Sequence, residues 1–196
     1  MVHALALTIV QLGWSALWGM LHARIRKGRR YASGRCPAAA APDAIYRRLN
    51  PLLFGAQLAV SVACLWSNSP WLLPFHSQLE LRWLGAALLI AGLWLTHFAL
   101  RHLGENYSPC YDSLLPRALV TTGPYAWIRH PMYLAKLLAG AGTVLLSGSL
   151  WLVPSALYLF VVTVRALRRE DAELIAHFPG YATYAARTRL VIPYCL

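Results

Sequence analysis

One polar stretch between long apolar segments holds several side chains that could do chemistry. It covers residues 123–133 and contains an arginine, a histidine, two tyrosines and two prolines. A proline lacks a backbone donor and restricts the residue before it, so Gly123-Pro124 and His130-Pro131 predict breaks in regular helix. Irregular backbone with ionisable groups beside apolar helices is tolerated mainly where it lines a polar cavity or is covered by protein. The stretch therefore predicts a small-molecule site at a membrane face.

Other polar and aromatic side chains could join this site. An arginine can pair with a carboxylate in bidentate fashion, a glutamate accepts from an ammonium group, and aromatic faces attract a cation such as a sulfonium. Together these groups suit a zwitterionic ligand. The candidates are Glu105, Asn106, Tyr107, Arg129, His130, Tyr133, Arg168, Arg169, Glu170, Glu173, Tyr181, Tyr184 and Arg187.

The same residues also have structural interpretations, which the sequence leaves open. Arg129 could be a basic anchor at the end of a span, and His130 could satisfy a helix end. The aromatic residues could lie at interfacial depth, and the glutamates on a solvated helix face. His97 and His102, at the end of the third span, are interpreted as structural. The sequence has no nucleotide-loop signature and no pair of histidines at ligand spacing near a carboxylate, so no metal site is predicted.

The composition identifies the elements that must position these groups. The chain has 196 residues, of which 58% are hydrophobic and 13% charged, which is apolar for a soluble protein of this size. Five apolar segments approach the roughly 20 residues that span a bilayer. We therefore predict an all-α integral membrane protein with about five transmembrane helices. The predicted spans are Ala4–His22, Pro51–Trp66, Leu81–Leu100, Tyr133–Leu146 and Leu150–Ala166.

Smaller features refine these elements. The first run has no basic region before it and no cleavage signature after it, so it is predicted to be a retained span rather than a signal peptide. Gly85 and Gly92 in the third span, and the small residues 139–142 in the fourth, suit close helix packing. Residues 147–149 predict a tight hairpin turn between spans four and five. The Ala-Pro tract 37–42 predicts a flexible linker.

The chain is predicted to divide near residue 100. Residues 1–100 would form three transmembrane helices with a basic cytoplasmic loop at 23–50. Residues 101–196 would form the core of the site, with a polar segment, a helical hairpin and an amphipathic C-terminal helix. That helix begins near Arg165, breaks at Pro179-Gly180, and lies against the membrane face or folds back over the loop before span four.

Charge and cysteine content limit the classes of function. The net charge of +11 comes from basic residues that cluster between apolar segments, which indicates membrane topology rather than nucleic-acid binding. With five spans, the positive-inside rule places the N-terminus outside and the C-terminus and the active site in the cytoplasm. The four cysteines are far apart and form no Cys-x-x-Cys pair, so they are predicted to be isolated thiols.

Several ordered blocks resemble a known family. The residues 121–125 and 129–133 (TTGPY and RHPMY) are similar to the signature of the isoprenylcysteine carboxyl methyltransferases, a family allied to the membrane phospholipid N-methyltransferases. The segment 103–108 (LGENYS), the residues 169–174, 178–184 and Pro193 resemble its other blocks. The likeness covers Leu100 to Pro193. Ala135 replaces a frequent glycine, and Glu170-Asp171 replaces a pair of glutamates.

The resemblance implies S-adenosylmethionine as methyl donor and a helical membrane fold without a Rossmann domain. It places His130, Tyr133 and Glu170 in the cofactor site and lines that site with the backbone of residues 123–125. On this basis the predicted cofactor-binding residues are Asn106, Gly123, Pro124, Tyr125, Arg129, His130, Tyr133 and Glu170. The predicted catalytic residues are Arg169, Glu170 and Arg187.

The methyl acceptor stays open at this stage. The resemblance favours a lipid-like or prenylated carboxylate that enters from the bilayer, and a carboxylate is already ionised at neutral pH and needs no base. A phospholipid amine or a small thiol is the alternative, and an amine would need His130 or Glu170 to remove a proton. The third alternative is a non-catalytic membrane protein of the same fold. The membrane is the expected partner, and neither nucleic acid nor metal is expected.

Overall fold

The structure of the protein is a computed structural model that describes residues 1–28, 44–67, 69–75, 78–107 and 118–191, without the side chains of residues 22–28, 44–50 and 105. The described residues form helices and no strand, which confirms the all-α prediction. In the described parts of the connections there are four short 3₁₀ turns, at residues 70–72, 104–106, 123–126 and 150–152. The helices are α1 (Val2–Gly28), α2 (Ala44–Trp66), α3 (Leu79–Leu103), α4 (Pro131–Ser147), α5 (Val153–His177) and α6 (Tyr181–Arg187).

Within the described residues, three helical segments are long and apolar enough to cross a membrane. They are Val2–Leu21 in α1, Leu79–Leu103, which is α3, and Leu150–His177, which includes α5. The apolar part of α2, Pro51–Trp66, and the whole of α4 are shorter apolar helices. These five segments correspond to the five predicted spans, and the protein is an integral membrane protein.

The first two helices are longer than the spans predicted for them. Helix α1 continues to Gly28, and α2 begins at Ala44 and passes through Pro51. The predicted loop 23–50 is therefore helical at both ends. A proline is tolerated inside a membrane helix because neighbouring groups can satisfy the carbonyl that it leaves free. The linker predicted at 37–42, like Ser108 and Pro193, lies outside the described residues, and the division near residue 100 stays a prediction.

Helices α3 and α4 pack closely because small residues face each other. A Cβ atom at Gly85 would collide with the backbone nitrogen of Leu146 and lie 2.6 Å from the Gly142 oxygen. About two helical turns further along α3, a Cβ at Gly92 would lie 2.9 Å from the Ala135 oxygen. The glycines thus allow backbone-to-backbone packing, as the sequence predicts. Helix α4 is central, because it contacts α2, α3 and α5.

The connection between α4 and α5 is the tight turn that the sequence predicts. Gly148 ends α4 with φ +67°, a left-handed conformation that favours glycine. The turn is tied to the segment between α2 and α3, because Phe75 N donates to Gly148 O at 2.8 Å and Leu150 N donates to Leu73 O at 3.0 Å. One end of the helical bundle is fixed in this way.

At the other end, the chain folds back over the polar stretch. Helix α5 continues without a break from its apolar part into the charged residues that begin at Arg165. The chain then turns at Pro179-Gly180 and forms α6. Of the two predicted positions for this tail, the structure shows the second, in which it covers the loop before α4.

Candidate active site

The loop before α4 has a shape that only glycine permits at its start. Gly123 has φ +61°, and a Cβ atom there would collide with the imidazole of His102 at the end of α3. His102 is fixed in turn, because its Nδ1 lies 2.9 Å from Phe98 O. The backbone then forms the 3₁₀ turn of residues 123–126, in which Pro124 and Tyr125 are buried. The end of α3 therefore positions the loop.

The C-terminal segment pairs with the second half of this loop. Arg129 N donates to Arg189 O at 2.7 Å, and His130 N donates to Leu190 O at 3.1 Å. Arg189 N donates back to Trp127 O at 3.1 Å. Because these bonds fix the backbone of the Arg-His pair, both side chains point towards α5.

The carboxylate of Asp171 on α5 holds several side chains together. Its Oδ1 atom accepts from Arg129 Nε at 3.0 Å and from the Tyr181 hydroxyl at 2.5 Å. His130 Nε2 lies 3.2 Å from the same oxygen. A carboxylate can only accept, so this contact requires a proton on Nε2 of the histidine. His130 is 5% exposed, and the pair Arg129–Asp171 has side chains 13% and 15% exposed.

Arg129 is engaged on both sides of its guanidinium group. Its Nη1 donates to Ala185 O at 2.9 Å and to Thr188 O at 2.8 Å, at the end of α6. This arginine therefore joins the loop, α5 and α6 in the structure. The cofactor-binding role that the resemblance gives it stays a prediction, and a ligand carboxylate would have to compete with these partners.

Tyr133 and Glu170 form a second contact between α4 and α5. The buried Tyr133 hydroxyl donates to Glu170 Oε2 at 2.7 Å. Lys136, one turn later on α4, places its Nζ atom 4.8 Å from the centre of the Tyr133 ring. The Tyr184 hydroxyl donates to Tyr125 O at 2.6 Å and so closes α6 over the loop.

These groups line one cavity of about 110 Å³. Six of the eight predicted cofactor-binding residues line it: Asn106, Tyr125, Arg129, His130, Tyr133 and Glu170. Residues 108–117, between two lining residues of the chain, lie outside the described residues. The remaining lining residues are Leu103, Tyr107, Ala118, Leu119, Val120, Pro131, Met132, Lys136, Leu174, Tyr181 and Tyr184.

Two predicted catalytic residues lie away from the lining of this cavity. Arg169 is about half exposed and donates from Nε to Glu173 Oε1 at 3.1 Å, one turn along α5. Arg187 is exposed at the end of α6. Glu170 is the predicted catalytic residue that the cavity does include. Gly123 and Pro124 shape the loop rather than the lining. The roles predicted for these residues stay predictions.

Three tyrosines of the site remain protonated at neutral pH. Burial raises the pKa of Tyr125, and the nearby Glu170 charge raises it further. Burial and the hydrogen bond to Asp171 raise the pKa of Tyr181. Burial also raises the pKa of Tyr184 to about 12. All three hydroxyls can therefore act as donors.

Sequence reasoning did not assign a site role to Asp171, Lys136 or His102. The sequence could have indicated the position of Asp171, because Leu167, Asp171 and Leu174 have helical spacing. Both leucines are buried in the structure. That spacing puts Asp171 on the inner side of α5, about 100° around the helix from Glu170. His102 has no such signal, because its contact with Gly123 depends on how α3 meets the loop.

The fold and the site define a class of protein: a helical integral membrane protein with a polar, tyrosine-lined cavity at one end of its bundle. The chain belongs to the phospholipid methyltransferase family, whose model matches residues 81–179. This family of membrane methyltransferases belongs to the isoprenylcysteine carboxyl methyltransferase-like superfamily, which confirms the predicted resemblance.

Two curated proteins are similar to the chain. The nickel-cobalt-cadmium resistance protein NccN of Alcaligenes xylosoxydans xylosoxydans is 32% identical over 160 residues, which are 80% of this chain and 72% of that protein. The cobalt-zinc-cadmium resistance protein CzcN of Cupriavidus metallidurans is 33% identical over 120 residues, which are 60% of this chain and 55% of that protein.

Proposed function

We propose that the protein is an S-adenosylmethionine-dependent membrane methyltransferase, similar to the isoprenylcysteine carboxyl methyltransferases, which acts on a lipophilic acceptor. The observation that carries the proposal is the pairing of Tyr133 with Glu170 in a cavity that is also lined by the side chains that contact Asp171, which are Arg129, His130 and Tyr181. The whole pairing lies inside the part of the chain that matches the methyltransferase family.

The chemistry of the cavity suits this donor. Glu170 can accept from its ammonium group, and Lys136 can pair with its carboxylate. The rings of Tyr107, Tyr125 and Tyr133 suit the sulfonium, and leucine and valine side chains suit the apolar edge of the adenine. The described cavity is smaller than the roughly 300 Å³ or more of a usual ligand site, so the donor would extend beyond it.

When bound, the donor would supply a methyl group from its sulfonium to the acceptor in line, with the neutral thioether as the leaving group. The residues of the chain must therefore orient the reacting atoms and exclude water, since orientation and electrostatics supply most of the acceleration. Glu170 is held by Tyr133, and α6 is held over the loop by Tyr184. These contacts preorganise the wall against which the donor would bind.

We take a carboxylate as the first candidate acceptor because it needs no base, although the Nδ1 atom of His130 keeps a lone pair that could take a proton. The Nε2 atom of this histidine is engaged with Asp171, and the contact requires a proton there. Glu170 already accepts from Tyr133. A carboxylate acceptor is ionised at neutral pH and requires neither group as a base. A phospholipid amine is the second candidate, because the matching family is described as phospholipid methyltransferases.

The two relatives suggest a physiological setting. Both are named for metal resistance, and cobalt and cadmium appear in both names. We extend the proposal to a contribution to metal tolerance through methylation of a membrane component. A metal-sensitive host that expresses the wild type should tolerate more cobalt than one that expresses Tyr133→Phe at equal protein level. Equal tolerance would remove this extension and leave the proposed enzymatic activity untouched.

Methyl transfer from labelled donor to a lipid extract tests the activity. Detergent-solubilised wild type should label a lipid, whereas Glu170→Gln should not. Glu173→Gln is the matched control, because this glutamate lies one turn away on α5 and outside the cavity. Mild alkali releases the label from a methyl ester but not from an N-methyl amine, and mass spectrometry identifies the product. If the folded wild type labels no lipid, peptide or thiol, the non-catalytic alternative is correct.

A further inference from the structure

A second polar site lies at the opposite end of the bundle. Arg82 is in the first turns of α3, and only 8% of its surface is exposed. His102, which contacts the active-site loop, is 20 residues further along the same helix. At 1.5 Å per residue this separation is roughly 30 Å, about the thickness of the hydrocarbon core. Arg82 and the candidate active site therefore belong to opposite membrane faces.

The guanidinium group of Arg82 is incompletely paired. Its Nη1 donates to Cys64 O at 3.1 Å, whereas its buried Nε has no hydrogen-bond partner. Among the described residues, no carboxylate forms an ion pair with it. A buried guanidinium carries its charge at any physiological pH, and a buried charge without a counter-ion is costly. An anion bound next to the unpaired Nε donor would reduce this cost.

A cavity of about 200 Å³ lies beside this group and offers room for one. Its floor consists of the buried residues Leu7, Leu65 and Arg82, and its rim includes the exposed His3, Trp66 and Ser67. Three helix ends form it, because His3 lies in the first turn of α1, Trp66 ends α2 and Leu79 begins α3. The rim supplies a hydroxyl and an imidazole that can also bond an anion.

Exposed tryptophans mark the depth of this cavity in the membrane. Trp66, Trp71, Trp83 and Trp151 are all exposed at this end of the bundle, and the Trp151 indole donates to Trp71 O at 2.8 Å. Tryptophan is enriched where membrane proteins meet the lipid headgroups. At that depth the prevalent anion is phosphate, and a guanidinium binds phosphate through its parallel donors.

We propose that Arg82 and the cavity between the ends of α1, α2 and α3 bind a phosphate group, supplied by a phospholipid headgroup or by free phosphate. This site is independent of the proposed methyl transfer. It gives the bundle a fixed anionic ligand at the membrane face opposite the candidate active site.

Two measurements on the purified full chain test the proposal and separate the two sources. In the first, native mass spectrometry in detergent with phosphatidylglycerol should show one retained lipid on the wild type. In the second, thermal unfolding is followed in inorganic phosphate and in chloride at equal ionic strength. A retained lipid indicates that the headgroup supplies the phosphate. A higher unfolding temperature in phosphate than in chloride, without a retained lipid, indicates the free ion.

Substitutions identify the binding group. Arg82→Met should weaken the observed binding about tenfold or more, because a charged hydrogen-bonded pair is lost. Arg168→Met, which removes an exposed arginine at the other end of the bundle, should leave it unchanged. If Arg82→Met does not fold, Arg82→Lys replaces it in the test. This variant keeps the charge but lacks the Nε donor, so it should also bind the phosphate group more weakly than the wild type. Wild type that binds neither probe, or binding that persists in the folded Arg82 variants, would overturn the proposal.

Discussion

At the scale of single residues, one carboxylate decides the geometry of the candidate site. Asp171 accepts from Arg129 and Tyr181 and contacts His130, so a single side chain connects the loop, α5 and α6. Glu170, its neighbour in sequence, faces the cavity and pairs with Tyr133. The two adjacent acidic residues of α5 therefore have different roles. Asp171 holds the C-terminal tail from Tyr181 onward against the loop, and Glu170 lines the cavity.

This difference predicts a large stability effect for Asp171→Asn. The substitution leaves the mostly buried Arg129 without its counter-charge, so the free energy of unfolding should fall by roughly 3 kcal/mol. Unfolding by SDS in mixed micelles measures this change. Glu173→Gln, which breaks an exposed pair with Arg169, should cost less than about 1 kcal/mol. Equal effects of the two substitutions would show that Asp171 does not hold the tail.

A second residue-scale prediction concerns Gly123. Alanine there would need a left-handed conformation at a cost of about 1–2 kcal/mol, with a collision with His102 in addition. Gly123→Ala should therefore lower the unfolding midpoint, and adding His102→Ala should recover part of the loss. Gly180→Ala is the control, because its φ is −87° and nothing lies within 4 Å of an added Cβ. A neutral Gly123→Ala would contradict the loop geometry.

At the scale of elements, the contact between α3 and α4 sets the position of everything that follows. Helix α4 begins at Pro131, directly after the Arg-His pair, and its central place among α2, α3 and α5 depends on the glycines of α3. A shift of α4 would move Tyr133 away from Glu170. The packing of α3 against α4 in the membrane interior therefore determines the geometry of the candidate site at the membrane face.

Gly85→Ala tests this dependence. The added methyl group would meet the Leu146 and Gly142 backbone, which cannot move away as a side-chain end can. Overpacking of this kind costs about 1–3 kcal/mol, and donor binding should weaken as well. Gly55→Ala in α2 is the matched control, since an added Cβ there has nothing within 4 Å. If both variants behave like the wild type, α3 and α4 do not pack through Gly85.

At the scale of the whole molecule, the orientation in the membrane is a prediction from charge. The basic residues between spans place the N-terminus outside and the candidate active site in the cytoplasm. In a bacterial inner membrane, alkaline phosphatase fused after residue 71 should therefore be active, and the same enzyme fused after residue 191 should be inactive. A fluorescent protein should show the reverse pattern. The opposite result at both positions would invert the topology.

The sequence predicted the helical membrane fold and the family, and six of the residues that it predicted to bind the cofactor line the cavity. Long apolar segments and ordered motifs carry that information locally, as in residues 129–133 and at Glu170. It did not predict the length of α2, because a proline at residue 51 is weaker evidence of a helix boundary in a membrane than in water. Nor did it reveal that Arg129 is held by Asp171 or that His102 supports Gly123. Both contacts join residues far apart in the chain, and their formation depends on how the helices pack.

Binding of labelled S-adenosylmethionine to the purified, folded protein tests the central claim most directly. We expect saturable binding by the wild type, loss of binding in Glu170→Gln and in Tyr133→Phe, and retained binding in Glu173→Gln. Absence of binding by the folded wild type, or equal binding by Glu170→Gln, would contradict the assignment of this cavity as the donor site.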